Sequence, residues 1–218
     1  MIHSSRERIG LFCFEGVCGG CDVVRLGCVR VVLVVWGERA ELHRVMWQIA
    51  NDLRGAVDGW DFKSYVLGFL FYRFISENLT VFINEGEAES GNGGFDYARA
   101  LDSVVDVPEV REGIVEEKGF FIRPSELFVN VRARAPYDEN LNETLSLVFA
   151  NIERSSVGTR AEKDMRGLFA GIDVNSPKLG NTVAQRNGRL VKILGAIGSM
   201  DLSYGQSQID AFGDRTSI

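Results

Sequence analysis

Histidine is almost missing from this chain: His3 and His43 are the only two. Helical metal-binding pairs and Ser-His-Asp arrangements both need well-placed imidazoles, so those chemistries are nearly excluded. Proline is also scarce. Pro108, Pro124, Pro136 and Pro177 are the only four, and no two are adjacent. The Asn-or-Asp-Pro-Pro-aromatic loop, which holds a target amine and stacks on an extruded base, is therefore not in this sequence. Nor is there a strand followed by a glycine loop of the kind that binds S-adenosylmethionine. Long apolar runs are lacking too. The densest, Val29–Trp36, is 8 residues long and contains Arg30, against the ~20 needed to span a bilayer. Glu7 and Glu15 interrupt the region where a signal peptide would need a clean apolar core. A cytoplasmic protein with no membrane partner is the expectation.

Cysteine is absent after residue 28. All four (Cys13, Cys18, Cys21, Cys28) fall in the first 28 residues. Cys18-Gly-Gly-Cys21 has the spacing of zinc and redox motifs, and one reading is a small zinc knuckle. The other is that residues 1–37, rich in Val, Gly, Cys, Arg and Leu and without helical or strand period, form an unstructured leader or a misassigned start. The second is preferred, so no metal is assigned. The 218 residues suit one good-sized domain. With a net charge of −6, any nucleic-acid contact has to come from a local basic patch.

What is present is helical period. Leu42, Met46, Ile49 and Leu53 recur at spacings of four, three and four, and Gly55 stops that helix. Asp61 is placed to cap the next one. From Tyr65 to Ile75 that helix is apolar almost all round, which demands burial on nearly every side. Its single charge, Arg73, has Glu77 one turn away as a partner. Residues 85–96 read as an acidic, glycine-rich connector. Its Gly91-Asn92-Gly93-Gly94 follows a helix rather than a strand and sits among glutamates that repel phosphate. A weaker helical pattern, broken by Pro108, covers Tyr97–Lys118. Gly119–Pro124 reads as extended, with Ser125 placed to cap the segment after it. Asn140 and Glu143 have capping-box spacing ahead of the stripe Leu141, Leu145, Val148, Ile152. A short helix is expected over Ala161–Phe169 and a last one over Thr182–Ile197, with Val183, Leu190, Leu194 and Ile197 inward. The expected fold is all-α, about six to eight helices over 38–214, with 215–218 a tail.

One stretch stands out by charge. Lys178–Lys192, KLGNTVAQRNGRLVK, holds Lys178, Arg186, Arg189 and Lys192 and no acidic residue. Arg186 and Arg189 are three apart and share a helix face, which Lys192 extends. Lys178 and the Asn181-Thr182 cap sit at the helix amino end, where free N–H groups favour phosphate. That is the make-up of sequence-independent DNA backbone contact. A solvated face opposite the apolar stripe explains the same residues equally well. Arg54, just before the glycine corner, is a second candidate contact, with Lys63 weaker. Trp47 and Trp60 read as core or corner anchors, and His43 as a solvated residue.

Several long, collinear segments resemble a known family: WQIANDLRGAVDGWDFKSYVLGFLFYRFISENL, EEKGFFIRPSELF, DENLNETLSLVF, LFAGIDVNSPKLGNTVAQRNGRLVKIL and IDAFGD. Their wording and order are similar to the amino-terminal helical domain of type I restriction-modification methylation subunits. The resemblance implies a site-specific adenine N6-methyltransferase complex using S-adenosylmethionine. It further implies two methylation subunits joined to one specificity subunit, helical domains closing around DNA, and a nuclease-translocase subunit. The family continues past Asp214 into a catalytic domain, whereas here Arg215–Ile218 follow. The expectation is a DNA-clamping and assembly domain with no catalytic residue, cofactor or metal of its own. The alternatives are a split methyltransferase completed in trans, a competing interaction module, or a gene remnant.

Overall fold

A helix with apolar side chains on nearly every face has to be surrounded, and one such helix organises this protein. The computed structural model describes residues 59–200. α1 runs from Gly59 to Glu89, 31 residues and therefore roughly 46 Å long. Tyr65, Val66, Phe69, Phe71, Tyr72, Ile75 and Leu79 along it are buried, and only Leu67 in that stretch is well exposed. Around α1 come α2 (Asp102–Val105), α3 (Pro108–Lys118), α4 (Phe128–Arg134), α5 (Leu141–Ser155), α6 (Glu162–Met165) and α7 (Val183–Gly198), with four 3-10 turns between them. There is no strand among the described residues, so the fold is all-α. α7 packs against α1, α4 and α5, and α4 packs against α1.

By length and composition Ser64–Glu89 could also cross a membrane. No uninterrupted apolar run marks it in the sequence, because Arg73 and Glu77 break the run without removing its average apolarity. Its burial among the other helices accounts for that apolarity without a bilayer.

The centre of the core is aromatic. Phe149 of α5 lies flat on Phe169, ring centres 4.3 Å apart and planes 10° from parallel. It meets Phe69 and Tyr72 of α1 edge-on at 5.8 and 5.4 Å. Tyr72 in turn meets Phe128 of α4 edge-on at 5.6 Å. Offset stacks and edge contacts are the arrangements the ring quadrupole favours. One small cluster thus ties α1, α4, α5 and the turn after α6.

Buried polar groups on α1 fasten the connections. The Tyr72 hydroxyl donates to the Glu126 carbonyl at 2.5 Å, and Ser76 Oγ accepts from the first N–H of α4, Phe128, at 3.2 Å. Asn84 Oδ1 accepts from the Tyr97 N–H at 2.8 Å, while the Tyr97 hydroxyl donates to the Ile122 carbonyl at 2.7 Å. The predicted Arg73–Glu77 pair forms at 2.6 Å. Arg73 Nη1 also donates to the carbonyls of Ile197 and Met200, at 2.6 and 2.8 Å, closing the carboxyl end of α7 onto α1 as cations commonly do there.

Several local expectations give way. Asp61 lies inside α1, which already runs from Gly59. Glu85–Glu89 continue α1 rather than forming a loop. The expected break at Pro108 is present, in that α2 ends at Val105 and Pro108 opens α3 at the first position, where its missing N–H costs nothing. Ser125 sits in a 3-10 turn and bonds Asp102, so it does not cap α4. Asn140 precedes α5 but makes no side-chain cap. Asp138 intervenes, accepting from the Asn140 N–H at 2.9 Å and the Thr144 hydroxyl at 2.7 Å. The helix expected over Ala161–Phe169 is only Glu162–Met165. The expected leader, the Leu42–Leu53 helix, His43, Trp47, Arg54, the Gly55 stop, IDAFGD and the tail lie outside the described residues. So do the side chains of Trp60 and Lys63.

Burial pushes both the Tyr72 and Tyr97 phenols above the ordinary tyrosine value, and neighbouring acidic residues push Tyr97 further. A phenol raised in the folded state stabilises fully below its unfolded value of about 10 and loses that contribution as pH climbs past it. Urea melts should therefore weaken steadily above about pH 10, and the Tyr72→Phe/Tyr97→Phe double variant should lose much of that slope. An identical slope in the variant would assign the alkaline loss elsewhere.

Candidate functional site

α7 begins as its sequence demands. Thr182 Oγ1 accepts from the Gln185 N–H at 3.2 Å, and Gln185 Oε1 accepts from the Thr182 N–H at 3.4 Å, a complete capping box. Gln185 Oε1 also takes the Asn181 N–H at 3.0 Å. The N–H groups of Asn181, Thr182 and Gln185 are thus occupied from within. Of the N–H groups in the first turn of α7, the one on Gln185 is therefore taken by the cap. Asn181 itself is exposed.

Leu190, Leu194 and Ile197 face the core as expected, joined by Ile193 and Ala196. Val183 does not. It is 42% exposed, because the first residue of α7 lies beyond the partner helices. Asn187 turns inward, its Oδ1 accepting from the Asn142 N–H at 3.1 Å and its Nδ2 donating to the Glu139 carbonyl at 2.6 Å. α7 is thereby locked to the start of α5.

The predicted basic residues gather around one feature, the 3-10 turn Pro177–Leu179 and the glycine after it. Arg186 Nη1 donates to the Gly180 carbonyl at 3.0 Å, and Arg189 Nη1 to the Lys178 carbonyl at 3.3 Å. Both arginines are half-buried, while Lys178 and Lys192 are exposed. The structure therefore brings Lys178, Arg186 and Arg189 together at the amino end of α7, with Lys192 one turn further along. Arg54, the sixth candidate, lies outside the described residues. Carbonyls orient a guanidinium without neutralising it. Neither Arg186 nor Arg189 meets a carboxylate among the described residues, so both keep their full charge.

Gly180 makes the turn possible. Its φ of +150° is one that side-chain-bearing residues rarely adopt, and a Cβ there would lie 2.6 Å from Gln185 Cβ and 3.0 Å from the Arg186 backbone nitrogen. Gly180→Ala should open the capping box and displace both arginines, costing about 1–3 kcal/mol in a thermal or urea melt. A melt within about 0.5 kcal/mol of the parent, the scale of a neutral surface change, would contradict this geometry.

A second polar cluster had no signal in the sequence, because its members are far apart in the chain. Arg123 Nε donates to Asp106 at 2.6 Å and its Nη1 to Glu126 at 3.3 Å. Arg111 holds the other Asp106 oxygen at 3.0 Å, and Asn151 Nδ2 donates to Glu126 at 2.7 Å. The hydrogen bond to Asp106 holds the Arg123 guanidinium above its ordinary value. An open groove of about 810 Å³ lies beside it, lined by Arg111, Arg154 and Arg160 but also by Asp106, Glu112 and Glu116. Opposite charges balance there, and Asp106 is engaged in holding α3 and the 120–127 segment together through Arg111 and Arg123. Its chemistry is structural. Among the described residues no group of three or more His, Cys, Asp or Glu side chains is placed to hold a metal.

Known proteins resemble this chain in sequence and in fold. Residues 42–197 match the family model described as the HsdM N-terminal domain. The chain is similar to the type I restriction enzyme MpnII methylase subunit of Mycoplasma pneumoniae, 40% identical over 183 residues, which covers 81% of this chain and 34% of that protein. It thus spans about a third of the length of that relative. Its fold is shared by the crystal structure of the type I restriction-modification system methyltransferase subunit from Streptococcus thermophilus. That match has a TM-score of 0.56 at 24% identity, over 78% of this chain and 37% of that one.

Proposed function

The chain belongs to the HsdM N-terminal domain family of type I restriction-modification methylase subunits, and from that premise we propose that it serves as a DNA-contacting and subunit-assembly domain. The observation that carries this reading is the basic end of α7. Two arginines that meet no carboxylate among the described residues and two exposed lysines lie within one short stretch of a chain whose net charge is −6. Arginine and lysine contacts to phosphate supply affinity and position without reading sequence. Choice of DNA target then belongs to a separate specificity subunit. The methyl donor and the adenine would be handled by a catalytic domain elsewhere in the complex, with S-adenosylmethionine as the cofactor of the complete enzyme. A second methylation subunit, the specificity subunit and a nuclease-translocase subunit are the proposed protein partners, and the cytoplasm is the proposed location.

Mixing tests this directly. The purified chain should enter a complex with specificity and methylation subunits, and should shift a duplex of arbitrary sequence. If it does neither, both the assembly and the DNA-contact roles fall. Methyl incorporation into DNA by the chain alone would contradict the assignment of chemistry to another domain.

A further inference from the structure

Arg186 is turned into the protein rather than out of it. One of its five N–H donors reaches the Gly180 carbonyl at 3.0 Å, while its Nε lies buried with no partner. A buried donor left unpaired is unfavourable, so the inward position is held by one carbonyl bond and by packing. Turning outward forfeits that bond but also ends the isolation of Nε. Nε and a neighbouring terminal nitrogen form one edge of a planar fork, which matches two oxygens of a single phosphate. Arg189 differs. Its bond to the Lys178 carbonyl is longer, 3.3 Å, and it has no buried unpaired nitrogen.

Resting on the reading of α7 as DNA-facing, we propose that Arg186 is a swinging contact: folded onto Gly180 in the free protein, and turned out to grip one phosphodiester group of duplex DNA when it is bound. The Lys178–Gly180 turn is then part of the site, because it gives up a donor each time DNA arrives. Gly180 reports this, since its carbonyl is the group that the Arg186 side chain holds and would release. A phosphodiester fits better than a protein carboxylate because Lys178 and Lys192, both exposed, continue the positive charge along the stretch. A duplex presents its charges in such a row.

The test is a titration of the ¹⁵N-labelled full chain with a duplex of arbitrary sequence, following arginine Nε–H signals by NMR. The Arg186 signal is assigned by its loss in Arg186→Lys. The expected result is that this signal moves on DNA addition, together with the Gly180 and Asn181 amides. Arg186→Lys keeps the charge but loses the fork, and should bind about tenfold more weakly. Movement of other α7 signals with the Arg186 Nε–H stationary would overturn the swinging contact while leaving DNA binding in place. No movement with DNA, or movement only with an acidic protein partner, would overturn both.

Discussion

Phe149→Ala should lower the free energy of unfolding by about 3–5 kcal/mol, the range for removing a well-packed buried phenylalanine. Phe149 is 5% exposed, lies flat on Phe169 and meets two aromatic rings of α1 edge-on. Its ring is where α1, α5 and the turn after α6 converge. The surrounding rings belong to α1 and the turn after α6, two segments held by other contacts, so they cannot collapse into the space left behind. Leu147, two residues earlier on α5, supplies the control. It is 64% exposed, and Leu147→Ala should change stability by no more than about 0.5 kcal/mol. Urea denaturation of both variants decides the matter, and similar midpoints would mean that the aromatic cluster is not the centre of the core.

The second large effect is on DNA. Replacing Arg186 and Arg189 together by Glu should weaken duplex binding on the order of a hundredfold or more at low salt, since two charge-assisted bonds become two repulsions. The dependence of log affinity on log salt should also flatten by about 1.8, roughly 0.9 for each phosphate that is no longer neutralised. The fold should survive. The double variant gives up only the bonds to the Lys178 and Gly180 carbonyls, while Leu190, Ile193, Leu194 and Ile197 continue to bury the other face of α7. Melting curves recorded beside the titrations separate failure to bind from failure to fold. An unchanged salt slope in a folded variant would assign the patch to ordinary protein surface.

Features set by local spacing were legible in the sequence. The stripe Leu141, Leu145, Val148, Ile152 follows the helical period and is buried throughout α5. Arg73 and Glu77 are one turn apart and do pair. The Thr182 cap likewise depends on residues within one turn. Local rules failed where another carboxylate competed, two residues away in one case and 23 in the other. Asp138 takes the N–H of Asn140, and Asp102 takes Ser125. Both are short polar side chains that bond backbone readily, and nothing in the spacing alone ranks them. Long-range fasteners such as Ser76 with Phe128, or Tyr72 with Glu126, join positions about 50 apart and follow only from the packing of α1. The candidate site was half legible. Charge and helix face located Arg186 and Arg189, but their inward turn onto Lys178 and Gly180 follows from the path of the 3-10 turn, which periodicity does not describe.

The functional reading stands or falls on whether DNA lies against the amino end of α7. Hydrogen exchange by mass spectrometry, with and without a duplex of arbitrary sequence at low salt, decides that question. Exchange should slow in peptides covering 177–192 and stay unchanged across 108–118, where Glu109, Glu112, Glu116 and Glu117 of α3 repel phosphate. Unaltered exchange at 177–192 while the duplex is demonstrably bound elsewhere on the chain would contradict it.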